Sequence, residues 1–375
     1  MEMKNIYSKQ GLPRVINASG RMTKLGVSAI SDEVGQAMVE AAQNYVVVDD
    51  LLAWAGKKVG SLLGCEDACL TSSAAAGIAL SVASLICGKS GKKAEQFQRT
   101  LQKEPKREVI VLKGHNVQFG APVATMVELG GGIVVEAGYA NKSDLDDIEE
   151  AISNQTAAIL YVKSHHCVQK NMVGVEEVVA FAKQRNIPVI VDAAAEEDLT
   201  KYIAMGPDFV CFSGAKAICG PTSGFVACRT TQLATNMRLQ YRGIGRAMKI
   251  GKENIMGLVT AIERYVVERP SSVISKEELE AFTADINTIE GLRAGIIQDE
   301  AGRAIYRVRV AFDEVKYGLS AKQVVSLLAK RDPAIYTRDH QANEGMLSFD
   351  PRPLASKEEL QEIAKALREV KENKK

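Results

Sequence analysis

The period of the apolar positions along this chain switches repeatedly, from every third or fourth residue to short unbroken runs, and the order of the switches predicts its architecture. Asp49 to Leu63 places Leu51, Leu52, Ala55, Val59 and Leu62 on one helical face. A second helix is expected to start in Thr71-Ser72-Ser73, whose hydroxyls suit an N-cap, ahead of Ala74, Ala75 and Ala76. Val109 to Leu112, Gly132 to Glu136, Ala157 to Val162, Pro188 to Asp192 and Phe209 to Ser213 read as buried strands, and Asp144 to Ile152 and Val175 to Arg185 read as helices between them. Such alternation predicts an α/β domain around a largely parallel, doubly wound sheet.

Lys252 to Val267 continues as a long amphipathic helix, and Glu268-Arg269-Pro270-Ser271-Ser272 then replaces helix chemistry with turn chemistry. The expected organisation is an N-terminal segment (1–45), a large domain (46–268) and a small C-terminal α+β domain (269–375). That last part reads as strand, strand, helix, strand, strand, helix. Within it Tyr306, Val308, Val310 and Phe312 alternate with Arg307 and Arg309, which predicts one buried and one polar face. Lys371 to Lys375 reads as a frayed helix end.

Composition narrows the function. The 375 residues carry 47 basic and 46 acidic side chains, a net charge of +1, with 46% hydrophobic residues. A polyanion-binding role is disfavoured, so no nucleic-acid partner is expected. The chain also lacks the run of about eighteen apolar residues that a membrane span requires, and its first residues lack an apolar core behind a basic stretch. It reads as cytoplasmic, with no membrane partner. The seven cysteines form no CxxC pair and read as reduced, buried thiols with no metal.

Chemistry concentrates at predicted strand ends. Phe209-Val210-Cys211-Phe212-Ser213-Gly214-Ala215-Lys216 delivers an amine into a glycine-rich turn at the edge where α/β proteins place ligands. A lysine held there, partly desolvated, can act as a nucleophile. Ile187 to Asp192 is a buried strand ending in a carboxylate, which needs a cationic partner such as a protonated pyridine nitrogen. Thr71 to Gly77 offers small side chains and hydroxyls at a helix start, suited to a phosphate. His115, just after the strand Val109 to Leu112, is a flat group that could lie over a ring. Gly88-Lys89-Ser90 resembles the end of a P-loop, but a helix precedes it and Ala83 stands where a glycine belongs, so it is rejected. Together the four features match what pyridoxal phosphate requires.

The order of Thr71-Ser72-Ser73-Ala74-Ala75-Ala76-Gly77, Gly114-His115, Val191-Asp192-Ala193, Ser213-Gly214-Ala215-Lys216 and Gly220-Pro221 resembles the fold-type-I pyridoxal-phosphate enzymes. Ile16-Asn17-Ala18-Ser19-Gly20, Val162-Lys163-Ser164-His165 with Val173-Gly174, and Gly245-Arg246-Ala247-Met248-Lys249 with Glu263-Arg264-Tyr265 are similar to the branch that contains selenium transferases and amino-sugar-acid ammonia-lyases. The resemblance implies an aminotransferase-like fold with a seven-stranded type of sheet. It also implies that Lys216 carries the cofactor, that Asp192 faces the ring nitrogen and His115 the ring, and that Ser72, Ser73, Ala74, His165 and Ser213 complete the cofactor site. A glutamate stands at the position of His115 in the selenium transferases, which also carry an N-terminal tRNA-binding domain that the residues before Leu12 leave no room for. The expectation is therefore a small-molecule lyase that eliminates water and ammonia from a phosphorylated amino sugar acid; a seryl-tRNA transferase, a β-eliminating lyase for another amino acid and a catalytically silent protein are the alternatives.

A substrate with a carboxylate at one end and a phosphate at the other calls for guanidinium donors. Arg21, Arg242, Arg246, Arg338 and Arg352 are the candidates, with Arg338 and Arg352 of the small domain leading. Arg242, Arg246 and Lys249 cluster beside Gly243 and Gly245, which would let an anion approach the backbone. That segment is expected to reach an anion in a neighbouring subunit, so a homodimer or a multiple of dimers is expected.

Overall fold

The computed structural model describes residues 5–164, 166–269, 272–299 and 305–372. They cluster into two compact units, one spanning Ala29–Pro270 and the other joining Met1–Ser28 to Ser271–Lys375. The break after residue 270 falls inside the turn-rich stretch. The N-terminal segment, however, is shared out differently from the expected 1–45. Its strand β1 (Val15–Ala18) belongs to the small unit, where Ile16 and Ala18 are fully buried. Helix α1 (Asp32–Gln43) belongs to the large unit and packs on the helix Lys252–Val267.

The large unit is built on β2 (Asp67–Thr71), β3 (Glu108–Leu112), β4 (Ile133–Ala137), β5 (Thr156–Val162), β6 (Val189–Asp192), β7 (Phe209–Ser213) and β8 (Gly224–Cys228). These form a seven-stranded sheet in the order β2-β8-β7-β6-β5-β3-β4. Only β8 runs against its neighbours, so β2, β3, β5, β6 and β7 all end at the same edge. Two of the seven, β2 and β8, have no counterpart among the strands expected from periodicity. β2 opens on Asp67, a fully buried carboxylate held by Arg238 through contacts of 3.2 and 2.9 Å, and such an ion pair between distant residues is invisible to a local hydrophobic pattern.

Helices cover both faces, as parallel sheets require. Leu51, Leu52, Ala55 and Val59 of α2 (Val48–Leu63) share one core with Ile255, Leu258 and Ile262 of the Lys252–Val267 helix and with Leu70, Ile110, Tyr161 and Phe212 of the sheet. On the other face lies α3 (Ala74–Cys87), whose residues are almost all buried. It lies close because its small residues let it: a Cβ at Gly77 would fall 2.8 Å from a Val226 methyl.

The small unit centres on β10 (Tyr306–Phe312), antiparallel to both β9 (Leu292–Gln298) and β12 (Met346–Phe349). A separate parallel pair joins β1 to β11 (Ala334–Thr337). A helix, Lys276–Ile286, precedes the first strand and was not expected; Ser275 and Glu278 form its capping box, a signal present in the sequence. The expected polar face of β10 is also corrected. Arg307 is only 4% exposed, with Nη1 on Asp299 at 2.7 Å and Nε on Asp350 at 2.8 Å, while Tyr306 on the expected buried face is exposed. The helix Lys357–Glu372 carries the chain to the last described residue, so the expected fraying at 373–375 lies outside the described residues.

Candidate active site

Every loop of interest leaves the common carboxyl edge of the large sheet. After β2, Thr71 Oγ1 donates to the Ser73 carbonyl at 2.8 Å, and Ser73 Oγ caps α3 by accepting the Ala76 N–H at 3.0 Å. The Ser73 hydroxyl is thus spent on the helix, while Ser72 is half-buried and Ala74 buried. Gly224, the first residue of β8, pairs with Thr71 on one side and Ser213 on the other. A Cβ there would fall 2.4 Å from the Ser73 carbonyl carbon and 2.5 Å from the Ala74 nitrogen. This bare backbone brings the start of α3 beside the end of β7.

Past β7 the chain closes a tight turn. The Gly214 N–H donates to Ser223 O at 2.9 Å, the Gly220 N–H returns to Gly214 O at 2.8 Å, and the Cys219 N–H donates to Lys216 O at 3.2 Å. Lys216 sits inside that turn, half-buried. Asp192 ends the adjacent strand β6, opposite Cys211 of β7, and is 7% exposed. Its Oδ1 accepts the Ala194 N–H at 3.1 Å. Burial raises its pKa above the usual carboxylate range, and the Lys216 charge and that N–H oppose the rise.

His115 follows β3 and is fully buried, edge-on to Tyr161 with ring centroids 4.7 Å apart. Neither ring nitrogen completes a hydrogen bond of ordinary geometry. Burial lowers its pKa to about 4, the Val168 backbone opposes the fall and the Lys163 ammonium adds to it. The ring stands at the expected edge, but no face of it is open to a ligand. Two neighbours had been given no role from the sequence. Lys163, at the end of β5, donates from Nζ to Gln169 Oε1 at 2.6 Å. Cys167 lies 3.9 Å from His115 O, and burial, with Asp192 nearby, pushes its thiol up to about 12. His165 lies outside the described residues. All seven cysteines are free thiols, but Cys65 and Cys219 are half-buried instead of buried.

The candidate arginines separate. Arg242 and Arg246 are exposed in the large unit. The glycines beside them are occupied by the protein itself, since a Cβ at Gly243 would meet Ala94 O at 2.0 Å and one at Gly245 would meet Gln240 O at 2.7 Å. They are small because chain packs on chain there, which corrects the reading that they admit an anion. Arg21, Arg338 and Arg352 belong to the small unit. Arg352 grips Asp350 with Nε at 2.9 Å and Nη2 at 2.8 Å.

The family model for L-seryl-tRNA selenium transferase matches residues 100–311. Over 369 residues the chain is 45% identical to D-glucosaminate-6-phosphate ammonia lyase of Salmonella typhimurium (strain 14028s / SGSC 2262), covering 98% of both proteins. The chain belongs to the L-seryl-tRNA selenium transferase family. A second relative, a 5'-C-glycyluridine monooxygenase-decarboxylase from a Streptomyces species, is 38% identical over 93% of this chain and 88% of its own. A solved structure of a D-glucosaminate-6-phosphate ammonia-lyase superposes with a TM-score of 0.91 at 44% identity, over 99% of both chains. At the level of the fold alone, histidinol-phosphate aminotransferase from Clostridium acetobutylicum matches with a TM-score of 0.57 at 16% identity, over 96% of this chain and 99% of that one. The fold is therefore that of the fold-type-I, aminotransferase-like proteins.

The family is one of pyridoxal-phosphate-dependent enzymes. Two observations fit that cofactor. A buried carboxylate with a raised pKa closes β6, where a protonated pyridine nitrogen would relieve it. A helix start lies beside it, kept clear of side chains by Gly224.

Proposed function

We propose that this protein is a pyridoxal-phosphate-dependent ammonia-lyase acting on a phosphorylated amino sugar acid, converting D-glucosaminate 6-phosphate to 2-keto-3-deoxy-6-phosphogluconate and ammonia. The observation that carries the reading is the pairing of Lys216 with Asp192 at adjacent strand ends, in a chain that matches an ammonia-lyase along its whole length. Lys216 would carry the cofactor, Asp192 would face the ring nitrogen, and the start of α3 would receive the phosphate with Ser72, Ser213 and the backbone of Ser73, whose hydroxyl caps the helix. Pyridoxal phosphate, when bound, supplies an aldehyde for the substrate's amine and a ring that accepts the electrons of the broken α-carbon bond.

The chain's own residues do the rest. Lys216, whose amine stands at this edge, would accept the substrate's α-proton as a general base. Asp192 would stay ionised against a positive ring nitrogen and would keep that nitrogen protonated. The 3-hydroxyl leaves as water, water then adds at C2, and the net loss is ammonia. Arg21, Arg242, Arg246, Arg338 and Arg352 are the pool from which the substrate's two anions draw partners.

The test is direct. The purified protein with D-glucosaminate 6-phosphate should release ammonia and a 2-keto acid in equal amounts, without oxygen uptake. Oxygen consumption with loss of carbon dioxide would instead favour chemistry like that named for the Streptomyces relative. Retardation of seryl-tRNA on a gel would favour the transferase.

A further inference from the structure

Lys163 is a second amine at the carboxyl edge of the large sheet. It extends β5 past Val162, and its backbone N–H donates to Asp192 O at 2.8 Å, which seats it on the strand beside the buried carboxylate. Its Nζ turns back onto the chain and donates to Gln169 Oε1 at 2.6 Å, while Gln169 Nε2 donates to Ser164 O at 3.4 Å. The side chain is half-buried and meets no carboxylate among the described residues. An ammonium kept partly out of water against a neutral amide is costly unless the site uses its charge or its proton. That charge is felt inside the large unit's site: it bears on the His115 ring and on the Cys167 thiol, and the same thiol feels Asp192.

The elimination needs two proton transfers. Lys216 would remove the α-proton, and the 3-hydroxyl must gain a proton to depart as water, since hydroxide is a poor leaving group. The titratable neighbours of Lys163 are poor donors. Burial lowers the His115 pKa to about 4, so its ring is uncharged at neutral pH. Burial pushes both the Cys167 thiol and the Tyr161 hydroxyl up to about 12, and that hydroxyl is already given to Val173 O at 3.2 Å. Asp192 has to stay ionised in the role proposed for it. Lys163 has donors to spare beyond its contact with Gln169, and its half-exposed side chain reaches water for a replacement proton.

We propose that Lys163 is the general acid of the elimination, giving a proton from Nζ to the substrate's departing 3-oxygen, with Gln169 holding the amine at the edge. The proposal deepens the lyase reading and rests on it. In the step, the α C–H bond breaks, its proton goes to Lys216 and its electron pair forms the C2–C3 double bond. The C3–O bond breaks in turn, and the oxygen keeps that pair and takes the Lys163 proton to leave as water. Solvent then returns a proton to Nζ. Two amines divide the work, so neither has to be base and acid in the same step.

The experiment compares the cofactor-loaded wild type with Lys163→Met and Lys163→Arg. Arginine keeps the charge but cannot give up its proton, so it separates a proton donor from an anion anchor. Both variants should bind pyridoxal phosphate with wild-type affinity by fluorescence titration. With D-glucosaminate 6-phosphate in deuterium oxide, both should release ammonia at least about a hundredfold more slowly than wild type. Both should still wash deuterium into the α-position of recovered substrate, and do so faster than they release ammonia. The analogue with chlorine in place of the 3-hydroxyl loses chloride and needs no acid, so both variants should turn it over within about threefold of wild type. Recovery of ammonia release in Lys163→Arg, loss of α-exchange along with ammonia, failure on the chloro analogue or weakened cofactor binding each overturns the proposal. A wild type that releases ammonia, with variants that match it, overturns the proposal and leaves the lyase reading standing. A wild type that neither exchanges the α-proton nor releases ammonia overturns that reading and the proposal with it.

Discussion

Asp192 ends β6 and Lys216 lies in the turn that follows the neighbouring strand β7, so that the lysine's charge bears directly on the carboxylate that burial is trying to protonate. Neither residue is disposed well for itself. A buried carboxylate is costly unless a cation meets it, and an amine kept partly out of water is a better nucleophile and base than a solvated one. Under the proposed function the pair would be the two contacts of one cofactor.

The first prediction concerns Lys216 itself. Borohydride reduction followed by peptide mapping should find the cofactor on Lys216, and Lys216→Ala should lose covalent attachment and its visible absorption band. Recovery of the label on Lys163 or Lys249 would move the site.

Asp192→Asn should retain part of the cofactor but lower turnover by about a hundredfold or more, since a neutral partner no longer keeps the ring nitrogen protonated. Its stability has a sign of its own. A carboxyl whose folded pKa is raised binds more protons folded than unfolded, so its contribution falls as pH rises from the ordinary 3.8 through the raised value. In protein stripped of cofactor, Asp192→Asn should therefore melt higher than wild type at neutral pH, and the advantage should shrink on acidification. Melting curves of the two between pH 4 and 7 decide it; a constant difference would rule the account out.

His115 should show the opposite slope. Its pKa falls from 6.5 to about 4 on folding, so the unfolded chain takes up a proton that the folded one refuses, and stability drops as pH falls from 6.5 towards 4. The whole effect amounts to about 3 kcal/mol. His115→Phe, which keeps a ring beside Tyr161, should remove that slope. Because the Asp192 and His115 effects overlap and oppose, the wild type alone conceals both. A His115→Phe variant as acid-sensitive as wild type would contradict the burial argument.

Gly224→Ala tests the phosphate cradle. The added methyl must displace the Ser73–Ala74 backbone at the start of α3, as its contacts of 2.4 and 2.5 Å cannot persist. Cofactor affinity should drop at least about tenfold by fluorescence titration while circular dichroism stays unchanged. Unaltered affinity would place the phosphate elsewhere.

Assembly gives a fifth test. Arg242, Arg246 and Lys249 are exposed together, and the neighbouring glycines do not account for them. If they meet an anion in a second copy, mixed oligomers of Lys216→Ala and Arg246→Ala subunits should recover activity through sites assembled from intact halves. A fully active monomer by light scattering would exclude this.

Much of this was legible along the chain, for a definite reason. Strand ends and caps are local properties: an apolar run followed by Asp192, or by Ser213-Gly214-Ala215-Lys216, marks where a buried strand surfaces at a ligand-binding edge, and a parallel sheet collects all such ends on one side. The hydroxyls before α3 could likewise be read as a cap, and the structure places one of them there.

What only the tertiary structure decided depends on pairs far apart in sequence. The start of β2 was hidden because Asp67 is buried by Arg238, and the polar face of β10 proved buried because Asp299 and Asp350 neutralise Arg307. Gly243 and Gly245 looked like room for an anion and turned out to be room for Ala94 and Gln240. Periodicity reports which side of an element meets the interior; whether a charge can live there is settled by the partner that folding brings to it, because burying an ion is costly unless its counterpart arrives with it.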